Sequence, residues 1–221
     1  MLFVGIDIQI RRNCCYAIID DTGTLIDSGW LLRAEADAVD LVKRFSGSGQ
    51  VFVGIDAPRM PLTTKRQWYW NGNNRRWSRR GDQKGNGRHC EIVISAHRLG
   101  NPQWTPLEEA APEWIKLGFQ LFIALEGFVT VHEVFPTASY ALLKGNNDVR
   151  INADFSACQP GPKDMLDAWV AAVTVREFVE GRGTEVGGGD ALGTIILPRP
   201  LQEPVIAEVL KWPNYPILYL I

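Results

Sequence analysis

Acidic residues mark the ends of four apolar segments, and they restrict how this chain can fold more than any other feature. Asp7 closes Leu2-Phe3-Val4-Gly5-Ile6, and Asp56 closes a near-copy, Val51-Phe52-Val53-Gly54-Ile55. Glu133 ends the run from Val129, and Asp164 with Asp167 opens the apolar stretch Met165 to Phe178. A carboxylate at the tip of a buried strand is costly unless it is paired or bound to a metal. Several at one sheet edge repel one another, and a divalent cation relieves that repulsion.

The segments between these acids give the order of elements. Residues 2–8, 14–20 and 24–32 read as three strands joined by short turns, an antiparallel meander. Ala38, Leu41, Val42 and Phe45 have helical spacing over Ala34 to Phe45. Residues 51–56 form a fourth strand, which the intervening helix makes parallel to a neighbour. A helix over 108–125, a fifth strand over 129–134 and a helix from Lys163 to about Glu180 follow, with Thr194–Leu197 as a short edge strand. The expected domain spans 1–198, with a long insertion over 57–104 and a Pro-rich tail over 199–221.

The net charge of −2 conceals a strong asymmetry. Between Pro58 and Asn101 lie ten basic and two acidic residues, a local +8, so the rest of the chain carries −10. Such a segment calls for an anionic partner. Its arginines alternate with Trp68, Tyr69, Trp70 and Trp77. Guanidinium forks bind phosphate and aromatic rings stack on bases, a combination suited to single-stranded or distorted nucleic acid. Arg75, Arg76, Arg79, Arg80, Arg88, Trp70 and Trp77 are the candidate nucleic-acid contacts, with RNA and DNA equally open. The plainer alternative is a solvated loop whose tryptophans fold back on the domain.

The order β-β-β-α-β-α-β-α, with acids on the first strand, the fourth strand and the last helix, resembles the ribonuclease H-like superfamily. Val4-Gly5-Ile6-Asp7, Val53-Gly54-Ile55-Asp56-Ala57-Pro58, Arg88-His89-Cys90-Glu91, His132-Glu133-Val134-Phe135-Pro136 and Asp164-Met165-Leu166-Asp167-Ala168-Trp169 are similar to motifs of DUF429, a family described as predicted nucleases of that fold. The resemblance implies an α/β fold with a mixed five-stranded sheet flanked by helices, the basic insertion following the fourth strand. It implies catalytic Asp7, Asp56, Glu133, Asp164 and Asp167. Asp56 and the pair Asp164/Asp167 match the resolvase branch of the superfamily, whereas Glu133 is a feature of the DUF429-like pattern. The acid that ribonuclease H carries on its first helix has no motif here, although Glu35, Asp37 and Asp40 lie there.

The chemistry agrees with that implication. Parallel strands joined by a crossover end at the same edge, so Asp7 and Asp56 are expected side by side. Asp164 and Asp167, three apart, share a helix face. Oxygen-only ligands suit Mg²⁺ or Mn²⁺, with Asp7, Asp56 and Asp167 as the expected metal ligands. Two such ions about 3.5–4 Å apart activate a water and stabilise the leaving oxygen in phosphodiester hydrolysis. Asp164 by itself could equally be a helix N-cap. His132 is expected on the strand face opposite Glu133 in a structural role, and Glu91 is expected to pair with Arg88.

The leading expectation from these observations is a divalent-metal-dependent nuclease. The alternatives are a non-catalytic nucleic-acid-binding module and a phosphotransferase of the related sugar-kinase fold. The phosphotransferase reading is disfavoured because the sequence has neither a Gly-rich phosphate loop of the expected kind nor a second, duplicated domain. Cys14, Cys15, Cys90 and Cys158 have no zinc-type spacing. No run reaches transmembrane length and the N-terminus lacks the apolar stretch of a signal peptide, so a soluble cytoplasmic protein is expected.

Overall fold

Leu2–Asp7 (β1), Cys14–Asp20 (β2) and Leu25–Leu31 (β3) form the antiparallel meander. Ala34–Ser46 (α1) then crosses to Val51–Asp56 (β4), which runs parallel to β1. The computed structural model describes residues 1–47, 49–79, 85–145, 148–149, 161–201 and 211–213; the candidate Arg80 lies outside them. Trp68–Asn71 (β5) and Arg76–Arg79 (β6) pair as a separate hairpin. His89–Ala96 (α2), Glu113–Glu126 (α3), Thr130–Glu133 (β7), Pro136–Leu143 (α4) and Pro162–Val179 (α5) follow. The last two strands are Thr184–Gly187 (β8) and Thr194–Leu197 (β9).

The architecture is α/β, with one mixed sheet in the order β3-β2-β1-β4-β7-β9-β8. Its centre, β1-β4-β7-β9, is parallel. Among the described residues the sheet has seven strands, not the five expected. Thr194–Leu197 does form a strand, but it is not the edge. Gly187 and Gly188, with φ of 104° and 78°, turn the chain into a hairpin, and β8 pairs outside β9. Two helices also depart from the expected pattern. Pro136 stops β7, but its fixed φ also suits the first turn of a helix, and α4 begins there. At α2 the Glu91 Oε2 accepts the Arg88 N–H at 3.1 Å, closing the helix start inside the supposed loop. Among the described residues, no helix is long and apolar enough to cross a membrane.

Strand alternation divides the core. Val4 and Ile6 face a cluster with Leu121, Phe122 and Leu125 of α3, while Phe3 faces Ala168, Ala171 and Ala172 of α5. Gly5 and Gly54 are register partners on β1 and β4. A Cβ at Gly5 would stand 1.8 Å from the Ala168 carbonyl oxygen and 2.5 Å from the Ala172 nitrogen. At Gly54 it would meet the Val175 Cγ2 at 2.5 Å. The two glycines therefore let α5 lie directly on the strands, which brings the first turn of α5 to the ends of β1 and β4.

The far end of α5 is fixed electrostatically. Glu177 is buried and accepts hydrogen bonds from Arg176 at 2.8 Å, Arg182 at 2.6 Å and Arg199. Burial alone would raise its pKa, but the three guanidiniums outweigh burial and hold it at about 2.

Gly5→Ala should separate α5 from β1 and destabilise the fold by about 3 kcal/mol, read from urea unfolding. Gly54→Ala should cost less, because the nearest atom there is a side-chain methyl. Equal losses would show that α5 does not dock on the Gly5 backbone.

Candidate active site at the carboxyl edge of the sheet

Asp7 and Asp56 are direct register partners at the ends of β1 and β4. Asp7 follows Phe3 and Gly5 in strand alternation, so its side chain turns to the α5 side. Asp164 and Asp167 sit in the first two turns of α5, and Gly161, not Asp164, is the N-cap. Asp7 is 5% exposed. Burial raises its pKa to about 7; the Gln9 hydrogen bond opposes the rise, and Asp167 and Asp164 add to it. Asp56 is pushed well above the usual carboxylate range by burial, then by Asp7 and Asp167. Four acids from three elements thus share one electrostatic environment.

Among the described residues, each of these acids except Asp56 has a hydrogen-bonding or ionic partner that the sequence motifs did not indicate. Gln9 Nε2 donates to Asp7 Oδ2 at 2.8 Å. Arg12 Nη2 stands 3.0 Å from Asp164 Oδ2. Tyr140 on α4 donates to Asp167 Oδ1 at 2.6 Å. Lys163 also donates to Asp167, and its ammonium lies 5.0 Å from the Tyr140 ring centroid. The i,i+4 spacing of Lys163 and Asp167 was the one available signal; Tyr140 had none.

Glu133 ends β7 as expected, but it belongs to a different constellation. Arg88 is 0% exposed and donates to Glu133 Oε2 at 2.7 Å, to Glu91 Oε1 at 3.0 Å and to the Leu192 carbonyl at 3.2 Å. The Arg59 N–H donates to Glu133 Oε2 at 2.8 Å and the Thr105 N–H to Glu91 Oε2 at 2.9 Å. Burial raises the Glu133 pKa, while Arg88 opposes that rise. Arg88 therefore leaves the set of candidate nucleic-acid contacts: a guanidinium enclosed by two carboxylates cannot reach a phosphate. It does pair with Glu91 as expected.

Cys90, Glu91 and Glu133 offer a sulfur and two carboxylate oxygens within 4.8 Å of one another, a set that could hold a metal ion. The cation those two carboxylates face is Arg88, and burial pushes the Cys90 thiol well up. Among the described residues no three of the edge acids bring their oxygens that close. His132 packs edge-on to Phe178 at 5.3 Å, and burial lowers its pKa, in keeping with a structural role.

The insertion divides in two. Trp70 and Trp77 are cross-strand partners 5.9 Å apart; Trp77 also packs 5.2 Å from Trp212 and 6.1 Å from His89. These tryptophans seat the hairpin on the domain instead of presenting free stacking faces. Arg75, Arg76 and Arg79 are exposed around the hairpin turn, where Asn71 Oδ1 accepts the backbone N–H groups of Asn73 and Asn74. Arg59 is taken up by Glu126 at 3.1 Å and by the Phe122 ring.

Comparison with protein-family models, with curated proteins and with solved structures finds no match.

Two outcomes follow from this charge arrangement. Arg88→Met should destabilise the protein by about 3–5 kcal/mol, because two buried carboxylates lose their cation. Adding Glu91→Gln and Glu133→Gln should recover most of that loss in chemical denaturation. The second outcome concerns Asp7. Its pKa is about 7 in the folded, metal-free protein and 3.8 as a free side chain, so folding takes up a proton between those values. Stability from this group is full below about pH 4 and declines as pH rises through 7, by at most about 4 kcal/mol. Asp7→Asn should flatten that decline between pH 5 and pH 8; an unchanged pH profile would show that Asp7 ionises normally.

Proposed function

We propose that this chain is a divalent-metal-dependent nuclease of ribonuclease H-like architecture, related to DUF429, that hydrolyses phosphodiester bonds of nucleic acid. The observation that carries the reading is the register pairing of Asp7 with Asp56 beneath the first turns of α5. It supports the catalytic assignment of Asp7, Asp56, Asp164 and Asp167. The order of the first five sheet strands, with a meander joined to parallel β1, β4 and β7, supports the proposed architecture. Glu133 is not retained as a catalytic residue in this reading, because Arg88 and Arg59 already engage its carboxylate.

The donor set fits a magnesium or manganese ion. It is made of oxygens alone, and burial first, then the neighbouring Asp167 and Asp164, raise the Asp7 pKa to about 7, a cost that a bound cation would relieve. The acids do not form a closed cage, but Mg²⁺ keeps several waters and uses only one or two carboxylates directly. Asp7, Asp56 and Asp167 would hold the ion, with Asp164 beside them. A bound divalent ion supplies an activated water and charge neutralisation at the phosphate. The chain's own contribution is to align four carboxylates on a rigid edge. Lys163, hydrogen-bonded to Asp167, adds a positive group beside the place where a phosphate would arrive. Arg75, Arg76 and Arg79 supply sequence-independent attraction to the backbone.

A non-catalytic nucleic-acid-binding module is favoured by one observation, the internal partners of Asp7, Asp164 and Asp167. Metal dependence separates the two readings. Wild-type protein should cleave single-stranded RNA or DNA only with Mg²⁺ or Mn²⁺, and its Tm should rise with the metal. Asp7→Asn should abolish cleavage and the metal response while leaving nucleic-acid binding intact. Replacing Arg75, Arg76 and Arg79 with Ala should reduce the slope of log affinity against log salt by about 2. Cleavage by Asp7→Asn at the wild-type rate would end the nuclease reading.

A further inference from the structure

The loop after β1 touches the acid edge with some residues and a pocket with others. Gln9 and Arg12 hold Asp7 and Asp164. The same two residues line a pocket of about 380 Å³ on the other side of the loop. Ile10, Asn13, Leu32 and Leu117 complete the lining used here. Ile10 and Leu32 are 54% and 75% exposed, so two large aliphatic side chains flank the mouth of one pocket. Single exposed apolar residues are ordinary. Here two of them line one pocket together with the side chains of Gln9, Asn13 and Arg12.

We propose that this pocket is a nucleobase subsite, holding the base next to the phosphate that sits at the Asp7–Asp56 edge. The proposal rests on the nuclease reading and names what lies beside its scissile bond. A base is flat and apolar on its faces, which suits Ile10, Leu32 and Leu117. Its edge carries donors and acceptors, and the side-chain amides of Gln9 and Asn13 offer both. The volume matches a small-ligand pocket and accommodates one nucleoside. Arg12 lines the pocket, and the next residue along the loop, Arg11, is exposed, so the surroundings favour an anionic chain. Because Gln9 and Arg12 belong to both surfaces, one nucleotide can lie across the loop with its phosphate on one side and its base on the other.

The discriminating measurement is fluorescence anisotropy in EDTA, which keeps the chains intact. Two labelled single-stranded oligonucleotides of equal length and charge are compared, one with bases and one abasic throughout. The wild type should bind the base-bearing chain about tenfold more tightly, as expected when the apolar faces of one base are buried against aliphatic side chains. The double variant Ile10→Ser, Leu32→Ser should lose that preference while keeping its affinity for the abasic chain and its salt slope. Both side chains are exposed, so the variant should melt at the wild-type temperature. The variant lacking Arg75, Arg76 and Arg79 should weaken on both chains equally and keep the preference. Equal binding of the two chains by the wild type overturns the subsite and leaves the nuclease reading standing, and so does a preference that survives in the double variant. Failure to bind either chain overturns both. Running the base-bearing chain as RNA and as DNA shows which sugar the subsite accepts.

Discussion

The approach of α5 to the backbone of β1 is the contact on which the rest of the molecule depends. The Ala168 carbonyl stands where any side chain at position 5 would begin. Close docking places the first turns of α5 at the strand ends, and only then do acids far apart in sequence share one field. The apolar side of the same helix fills the core with Ala168, Ala171, Ala172 and Val175, small or β-branched residues that keep the separation short. Packing and electrostatics are thus joined in one element: the residues that let the helix settle also set the environment of Asp7.

The two ends of α5 show opposite treatments of a buried carboxylate. Glu177 is surrounded by three arginines and stays ionised far into acid. Asp7, beneath the other end, is buried with a neutral amide as its hydrogen-bond donor and acids as neighbours; burial first, then the acids, raise its pKa. A fully matched charge is an architectural element. An under-matched cluster is a place where an added cation lowers the free energy. Arg88 with Glu91 and Glu133 is intermediate: one guanidinium serves two carboxylates and ties α2 to β7.

Much of this was legible in the sequence. The meander, the β1–β4 pair and α5 follow from turn residues, apolar periodicity and the repeated Val-Gly-Ile-Asp. Their juxtaposition of Asp7 and Asp56 follows from the crossover rule alone. What stayed hidden depends on burial and on tertiary partners. Arg88 and Arg76 look alike in a chain of arginines, yet one is enclosed and the other exposed. Glu133 ends a strand just as Asp7 does, and only the position of Arg88 distinguishes them. Pro136 terminates one element and starts another, a double role that local patterning does not resolve. Gly187 and Gly188 suggest a flexible break but turn the chain tightly into an additional strand pair.

The ring of Trp212 against Trp77 and His89 has a consequence for synthesis. The ribosome releases Trp77 long before residue 212. Until then the tryptophan face of the β5–β6 hairpin has no such cover, whereas the strands and α5 can already assemble. The Trp212 cover is therefore added last, after every residue of the acid edge beneath α5 has been made.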